Sequence, residues 1–225
     1  MSNSDYFKNI KLINKNNKIY FYDNKFLSPW HDIDYKNNNY YVMINEIPKW
    51  TRKKMEINIL EKFNPIIQDI ENGKPREYIY GDMMFNYGAI PQTWEDPNHI
   101  YSLTGKKGDG DPIDIIDIGY KQRSIGEIFL VKIIGYIPLI DDDETDWKII
   151  SIAHDDPLAS KINNIDDLNK EIKGLIPACF EWFRKYKLPT KKKINKFSFE
   201  NRAGDFDEAI KIIEEGHLHW KKKFK

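Results

Sequence analysis

Short runs of β-branched and aromatic residues, broken by Gly, Pro, Asn and Asp, dominate the middle of this chain. They begin at Tyr40 and read YYVMINEI, MEINIL, PIDIIDIG, EIFLVKIIGYIPLI and WKIISIA. Several runs alternate apolar and polar residues, as a half-buried strand does. The runs therefore predict five or more strands of an antiparallel sheet or small barrel.

Helical spacing replaces the strand pattern in the last third of the chain. Asn164 or Asp166 could cap a short helix through Lys173, and a second helix is predicted to follow Pro177 through FEWFRKYK. Asp205 and the glutamate three residues later resemble a capping pair ahead of AIKIIEEGHLHW. Strands followed by helices indicate an α+β domain, and we find no repeat or linker that would divide it.

Composition excludes several classes of protein. The 225 residues include 40% hydrophobic residues, enough for a sizeable core in one domain. Thirty-five basic residues balance thirty-five acidic ones, so no net field directs the chain to nucleic acid or an anionic membrane. The single cysteine, Cys179, excludes an internal disulfide and a Cys-rich zinc site and indicates a reducing compartment.

No targeting or membrane segment is recognised in the sequence. The first thirty residues contain no apolar run typical of a signal peptide, and eighteen consecutive apolar residues occur nowhere. We therefore expect a cytoplasmic protein with no membrane partner.

Acidic residues gather between Gly105 and Trp147 in two groups, one on each side of the most hydrophobic strand. Asp109 and Asp111 are two residues apart, so an extended backbone directs both side chains to the same face. The glycines and the proline of this segment suit a turn that lets Asp114 join them. The ten acids are Asp109, Asp111, Asp114, Asp117, Glu127, Asp141, Asp142, Asp143, Glu144 and Asp146.

Crowded carboxylates repel one another and stay ionised only where water or cations absorb the charge. Hard oxygen ligands without His or Cys indicate Mg²⁺, Mn²⁺ or Ca²⁺ rather than zinc or copper. The alternative is that these are solvated loop acids, which we favour for Asp117, Asp142, Asp143 and Glu144. The five histidines are scattered, and His217 and His219 would face different sides of a helix, so metal binding by histidine is not expected.

Six basic and phenolic residues could lie opposite the clustered acids in the folded protein. Each alone is ordinary, since an exposed Lys or Arg is usually only solvated. Together with a carboxylate site for several metal ions they suggest an anionic, phosphorylated ligand. No Walker-type loop is present. These residues are Lys54, Arg76, Tyr87, Lys148, Tyr186 and Lys187.

The segment GDGDPID (108–114) resembles the Asp-x-Asp-Pro-x-Asp signature of the family I soluble inorganic pyrophosphatases. The long lead before SPWHDI and the residues QTWEDP (92–97) and ETDWK (144–148) are similar to the eukaryotic-type branch. The resemblance runs from about Ser28 to Trp220. Further segments resemble the family in order: SPWHDI (28–33), EIPKWTRKKMEI (46–57), NPIIQD (64–69), NYGAIPQTWEDP (86–97), LIDDDETDWK (139–148), DPLA (156–159) and WFRKYKLP (182–189).

The resemblance implies a five-stranded, OB-like closed β-barrel flanked by C-terminal helices. It implies one pyrophosphatase domain over 1–225, with an N-terminal extension at 1–27 and the family core at 28–220. The implied activity is hydrolysis of pyrophosphate to two orthophosphates with several Mg²⁺ ions, with Mn²⁺ as the implied substitute.

Residue roles carried over from the family begin with the acid cluster. Asp109, Asp114 and Asp146 would hold the first activating metal, and Asp114 would be shared with a second. Asp111 would orient or deprotonate the water between those two ions. Such a water can become a nucleophile near neutral pH.

The remaining implied roles concern the substrate. Asp141 and Asp146 would bind metals that arrive with pyrophosphate, helped by Glu56, while Glu46 would support these ligands from behind. The groups implied to contact phosphate are Lys54, Arg76, Tyr186 and Lys187, with Tyr87 and Lys148 completing the wall.

The chain also departs from the family pattern. EYIYGDMMFN (77–86) is several residues shorter than the corresponding eukaryotic segment and leaves one active-site Tyr without a counterpart. Asp143 stands where the family usually has Gly. Lys192 occupies the place of a substrate-region Lys, and Lys49 and Trp50 fall where the eukaryotic branch forms subunit contacts, which predicts a homodimer.

Two alternatives to a pyrophosphatase remain open from the sequence. One is a catalytically inactive OB-like binding module for single-stranded nucleic acid or a protein partner, although the acidic loops would repel nucleic acid. The other is a related metal-dependent phosphohydrolase acting on short polyphosphates or a nucleotide.

Overall fold

The computed structural model of the chain describes residues 7–190, 193–199 and 202–225, so Lys192 and residues 1–6 of the expected N-terminal extension lie outside it. The helices are α1 (Ile165–Glu171), α2 (Leu175–Lys185) and α3 (Phe206–Phe224), with a 3₁₀ turn at Leu188–Thr190. The strands are β1 (Lys11–Lys15), β2 (Lys18–Asp23), β3 (Lys25–Leu27), β4 (Lys36–Asn37), β5 (Tyr40–Ile47), β6 (Met55–Ile57), β7 (Ile66–Gln68), β8 (Ile70–Glu71), β9 (Lys74–Pro75), β10 (Asn86–Ala89), β11 (Ile100–Tyr101), β12 (Lys106–Lys107), β13 (Asp114–Asp117), β14 (Ile128–Asp141), β15 (Glu144–Ala153) and β16 (Lys196–Phe197).

The larger sheet has seven strands in the order β16-β14-β15-β13-β10-β5-β4. β14 also pairs with β5, so the hydrogen-bonded path through β14, β15, β13, β10 and β5 returns to its start. All five predicted apolar runs contain strands, and the α+β class is confirmed. The expectation of purely antiparallel pairing was wrong for β13 and β15, which run parallel because the long strand β14 separates them along the chain.

A second sheet, β1-β2-β7-β6 with β3 paired to β2, uses the N-terminal segment. No strand was predicted in this segment, because its many Asn and Lys residues indicated only a biased composition. Asn16 and Asn17 have φ of 55° and 60° and form the two-residue turn between β1 and β2. Asn tolerates this left-handed conformation, so here the bias has a structural use. Phe21 of β2 is fully buried.

The helix starts follow the capping chemistry. Asn164 caps α1, with its side chain accepting the Asp167 N–H at 2.9 Å, and Asp205 caps α3 by accepting from Glu208 at 2.9 Å. The second helix begins at Leu175, two residues before Pro177, and not after it. Proline is compatible with a first helical turn because its missing N–H would have no partner there.

Helices cover both faces of the larger sheet. Ile149 and Ile150 of β15 point to opposite faces and belong to different apolar clusters. The cluster with Ile150 includes the buried face of α2 and with it Cys179, and the cluster with Ile149 includes the buried face of α3. Within the part of the chain that is described, no helix is long and apolar enough to cross a membrane.

Candidate active site

Strand pairing brings the predicted site residues to one end of the larger sheet. Asp114 begins β13 and is the register partner of Ala89 on β10 and of Lys148 on β15. Asp146 lies two residues before Lys148 on the same strand, and Asp141 ends β14. The acids that are far apart in sequence therefore meet because their strands are neighbours.

Two adjoining cavities contain all thirteen predicted side chains. The main cavity, of about 200 Å³, is lined by Lys54, Arg76, Tyr78, Tyr87, Asp109, Asp111, Asp114, Asp141, Asp142, Asp146, Lys148, Trp182, Phe183, Tyr186 and Lys187. The side cavity, of about 180 Å³, adds Glu46 and Glu56 and shares Lys54, Tyr87, Asp111 and Asp114 with the main cavity.

Lys148 lies at the centre of the acidic wall. Its ammonium group donates to the carboxylates of Asp114 and Asp146 and to the Tyr87 hydroxyl at 3.0 Å. The Tyr87 hydroxyl in turn donates to Asp114. Only 4% of the Lys148 side chain is exposed, yet these neighbours raise its pKa against the effect of burial, so it is a buried cation.

A second cation, Lys187, contacts the acids Asp141 and Asp142 at the end of β14. Lys187 donates to Asp141 and, at 2.9 Å, to Asp142, while the Tyr186 hydroxyl donates to Asp141 at 2.8 Å. Both donors immediately follow α2. Asp142 lines the cavity although 76% of its side chain is exposed, so it is part of the site rather than only a solvated acid.

Lys54 and Arg76 form the third cationic group, and Asp69 holds them together. Asp69 accepts from Lys54 at 3.2 Å and from Arg76 at 2.9 Å, and Lys54 also donates to Glu56. Burial would raise the pKa of Asp69, but the two cations outweigh it and lower the pKa. No role was predicted for Asp69 from sequence, although it ends the NPIIQD segment.

The loop with Asp109 and Asp111 is fixed by its backbone. The Asp111 N–H donates to the Asp109 carboxylate at 2.9 Å, and Gly110 turns the chain with φ of 92°. The Gly110 N–H donates to the Glu95 carbonyl at 2.9 Å, and the Glu95 N–H donates to the Asp111 carbonyl at 2.9 Å. Glycine suits this left-handed position, as the sequence predicted.

Glu95 is a second acid that the sequence analysis missed. Its Oε1 accepts the Trp147 N–H at 3.1 Å, whereas its Oε2 is buried with no hydrogen-bond partner among the described residues. Burial and the nearby Asp109 and Asp146 raise its pKa well above the usual range. Its place in QTWEDP was the signal that could have identified it.

Crowding shifts the titration of the acid cluster. Burial, with the charge of Asp114, raises the pKa of Asp111 to about 6, although part of its surface meets solvent in the cavity. Burial raises the pKa of Asp146 to about 7 despite the opposing effect of Lys148. Burial and the charges of Asp146 and Asp111 raise that of Asp109 well above its usual range. Burial is the larger cause in each case, and repulsion between neighbouring carboxylates adds to it.

Glu46 supports the side cavity from within the protein. It is 4% exposed, and its Oε1 accepts the Ile57 N–H at 2.7 Å, next to Glu56. Burial, followed by the charge of Asp114, raises its pKa well above the usual range. Glu46 therefore fixes β6, which carries Glu56 and directly follows Lys54.

The shortened segment 77–86 supplies an aromatic residue to the main cavity. Tyr78 lines it, and its ring packs at 5.0 Å and 5.6 Å between centroids against Trp182 and Tyr186. Burial raises the pKa of Tyr78 to about 12, so the phenol stays protonated at neutral pH. The shortened segment therefore contributes one phenol to the main cavity.

Gly88 allows Tyr87 to reach the site. A Cβ at Gly88 would lie 1.9 Å from the Ile44 carbonyl oxygen, so β10 and β5 can approach only without a side chain here. The register between these strands shifts at Tyr87 and Gly88. Such irregularities redirect a side chain, here the phenol that contacts Asp114.

Comparison with known proteins identifies the family. The family model described as inorganic pyrophosphatase matches residues 43–221. The chain belongs to the inorganic pyrophosphatase family. The expected resemblance to family I, eukaryotic-type members is therefore confirmed.

Several relatives are similar over most of this chain. An inorganic pyrophosphatase of Drosophila melanogaster is 48% identical over 86% of the chain, and inorganic pyrophosphatase 1 of Caenorhabditis elegans is 46% identical over 87%. The chain spans 60% and 47% of the length of these two relatives. A crystal structure of an N-terminally truncated vacuolar soluble pyrophosphatase of Trypanosoma cruzi in complex with PPi has a TM-score of 0.88 and 41% identity, with 95% of this chain and 89% of that chain covered.

Proposed function

We propose that the protein hydrolyses inorganic pyrophosphate to two orthophosphates. The observation that carries the proposal is the meeting of six predicted cationic or phenolic groups and seven predicted acids in two adjoining cavities. Carboxylates that lie beside cationic and phenolic side chains suit a polyanion that binds together with metal ions. Family membership and the PPi complex of the Trypanosoma cruzi relative support this assignment.

The acid cluster fits a hard divalent cation. Its donors are carboxylate oxygens, several with raised pKa values, and Glu95 Oε2 is buried without a partner among the described residues. Such a cluster needs added positive charge, and Mg²⁺ matches its donors, as would Mn²⁺. Several ions would be held by Asp109, Asp111, Asp114, Asp141, Asp146 and Glu56, with Glu46 behind them.

Bound there, Mg²⁺ would supply Lewis-acid chemistry that neutralises phosphate charge and lowers the pKa of water. Asp111 would orient the attacking water and accept its proton, since its carboxylate opens into the cavity that holds the other acids. The water oxygen forms a bond to one phosphorus as the bridging P–O bond breaks. The bridging oxygen leaves with the second phosphate.

The cationic and phenolic side chains of the cavity would bind the two phosphate groups of pyrophosphate. Lys54 and Arg76 already lie together on Asp69, and Lys187 and Tyr186 lie together on Asp141. These donors would turn to phosphate oxygens when metal ions replace them on the carboxylates. Lys148 and the Tyr87 hydroxyl, which lie in contact with each other, would add further hydrogen bonds to phosphate oxygens.

The remaining structural expectations fit the same proposal. The closed circuit of β5, β14, β15, β13 and β10 supports a five-stranded, OB-like barrel. We propose a single domain over 1–225, in which β2 of the N-terminal extension pairs with β7 and so joins the second sheet to it. A cytoplasmic homodimer without nucleic acid remains our proposal, supported by Trp50, which is 60% exposed at the position expected for subunit contact.

The test is orthophosphate release from pyrophosphate by the purified chain in Mg²⁺, in Ca²⁺ and in chelator, with tripolyphosphate and ATP as parallel substrates. We expect rapid release from pyrophosphate in Mg²⁺, little from the other two substrates, and none in chelator. The Asp111→Asn variant should lose at least about 100-fold in rate, whereas the exposed Asp166→Asn variant should match the parent. Absence of release from folded protein would refute the proposal, and preferential release from tripolyphosphate would reassign the substrate.

A further inference from the structure

Three metal-binding side chains gather on α3 and the turn before β11, away from the acid cluster. Glu215 and His219 are one helical turn apart, so they share a face of α3. His99 Nε2 lies 3.3 Å from Glu215 Oε1, and the rings of His99 and His219 are 4.7 Å apart. One ligand atom from each residue lies within 4.8 Å of the others. None of the three is among the residues that line the two cavities of the candidate active site.

We propose that His99, Glu215 and His219 form a binding site for Zn²⁺ that is separate from the Mg²⁺ site. Two imidazoles and a carboxylate are a common zinc ligand set, with water as the fourth ligand. Zinc–nitrogen bonds of about 2.0–2.1 Å place neighbouring tetrahedral ligands about 3.3 Å apart. His99 and Glu215 already have this separation. Rotation of the His219 side chain would complete the set.

The surroundings resemble those of a metal-binding imidazole. The Tyr101 hydroxyl lies 3.4 Å from His219 Nδ1 and accepts the Asp96 N–H at 3.2 Å, so it offers the ring the kind of second partner that a metal-binding imidazole has. The half-exposed ligands open onto a surface cavity of about 380 Å³, which gives an ion access.

The charges around the site determine its expected affinity for a cation. Lys222 and Lys223 line the same cavity and oppose a cation, whereas Asp96 also lines it and favours one. Glu215 contributes a negative ligand. We therefore expect a site of moderate affinity that discriminates by ligand type, since imidazole nitrogen favours Zn²⁺ over Mg²⁺.

Zinc binding should strengthen the connection between α3 and the loop that carries Asp109 and Asp111. The Trp94 N–H already donates to the Gly216 carbonyl of α3 at 3.1 Å, and the neighbouring Glu95 exchanges backbone hydrogen bonds with Gly110 and Asp111. A zinc ion would add a second connection from α3 to this segment through His99. Binding only the folded state, it would raise the melting temperature.

The test uses Co²⁺ as a spectroscopic probe for Zn²⁺, with the full chain in excess Mg²⁺ so that the acid cluster is already occupied. We expect the intense visible absorption of a four-coordinate Co²⁺ site, saturating at one ion per chain and abolished by stoichiometric Zn²⁺. The variant carrying both His99→Gln and His219→Gln should bind Co²⁺ at least about tenfold more weakly. The matched control is His154→Gln, because His154 lies outside the cluster and packs on Tyr40.

Thermal unfolding supplies the second measurement. Micromolar Zn²⁺ in excess Mg²⁺ should raise the melting temperature of the parent and of His154→Gln, but not that of the double variant. A cooperative unfolding transition in Mg²⁺ without Zn²⁺, at the melting temperature of the parent, would show that the double variant is folded. If the parent shows no Co²⁺ absorption, or the double variant keeps it, the zinc site is refuted. Neither outcome bears on the proposed hydrolysis, which is measured separately with Mg²⁺.

Discussion

Asp114 and Lys148 are register partners on the parallel strands β13 and β15, and the Lys148 ammonium group donates to the Asp114 carboxylate. The same ammonium group donates to Asp146. One buried cation thus neutralises two acids proposed to bind metal. In the absence of metal ions, Lys148 is part of what allows this end of the sheet to fold.

Replacing Lys148 with Gln should therefore destabilise the metal-free protein more than the protein in Mg²⁺. Removing one partner of a buried ion pair costs about 3–5 kcal/mol, because the remaining charge is left uncompensated. Mg²⁺ should restore much of this loss, while kcat/KM for pyrophosphate should still fall by about 100-fold or more for want of a phosphate donor. Denaturant unfolding in chelator and in Mg²⁺ measures the first effect, and steady-state kinetics measures the second.

The exposed Lys196 provides the matched control for that experiment. Lys196→Gln should change stability by less than about 0.5 kcal/mol in either condition. Equal destabilisation of Lys148→Gln in chelator and in Mg²⁺ would contradict the view that metal ions and Lys148 neutralise the same acids.

The metal-free protein should become less stable as the pH rises through the titration of its acid cluster. The folded-state pKa values of Asp111 and Asp146, about 6 and about 7, lie above the unfolded value of about 4. A raised folded pKa contributes stability that is complete below about pH 4 and lost as the pH rises through about 6 to 7. Thermal unfolding in chelator from about pH 4.5 to about pH 8 should show this decline.

Saturating Mg²⁺ should flatten or reverse that pH dependence, because the ions bind the ionised acids and compete with protons. The Asp146→Asn variant in chelator should show a shallower decline than the parent, since one titrating acid is gone. A melting temperature that rises with pH in chelator would show that the lysines already neutralise the cluster.

Local patterns predicted the parts of the site that lie within one segment. GDGDPID places Asp109, Asp111 and Asp114 on one loop through backbone turns alone, and the capping pair at Asp205 fixed the start of α3. Lys148 was assigned to phosphate, but its contact with two acids depends on the parallel register of β13 and β15. No local periodicity encodes that register.

The residues missed from sequence share this long-range origin. Asp69 acquires its role only when β7 and the turn after β9 bring it between Lys54 and Arg76. Glu95 becomes a buried acid only because Trp147 and the acid loop enclose it. His99 and His219 were set aside because they are 120 residues apart, whereas the fold brings their rings together.

Asp69 should act as a positioning residue for the substrate cations. In Asp69→Asn, Lys54 and Arg76 would lose their shared charged acceptor and repel each other. We expect KM for pyrophosphate to rise by about tenfold, with a smaller loss in kcat, because binding is affected more than the chemical step. Steady-state kinetics over a range of pyrophosphate concentrations at fixed Mg²⁺ measures both parameters.

Asp82 offers a comparison, since it pairs with Arg52 at 2.6 Å but at the exposed surface. Asp82→Asn should leave both kinetic parameters within about twofold of the parent. A lower KM in Asp69→Asn would indicate instead that Asp69 competes with phosphate for the two cations.

Asp143 should be replaceable by Gly with a gain in stability. Asp142 and Asp143 form the two-residue turn between β14 and β15, with φ of 45° and 74°. This turn favours Gly at its second position, where an L side chain is strained, so relief of strain should contribute about 0.5–1 kcal/mol. The lost ion pair between Asp143 and Lys106, at 2.5 Å, has a 79% exposed carboxylate and offsets only part of this gain.

Three variants separate the two effects at this turn. Lys106→Ala removes the ion pair and keeps the strained backbone, so it should lower the free energy of unfolding by less than about 1 kcal/mol. Asp143→Ala loses the same pair and keeps a Cβ at positive φ, so Asp143→Gly should exceed it by about 1 kcal/mol in chemical denaturation. Equal stability of the Ala and Gly variants would mean that the turn relaxes without strain. Because Asp141 and its donors lie one turn away, unchanged hydrolysis in Asp143→Gly would show that the acid wall does not depend on this residue.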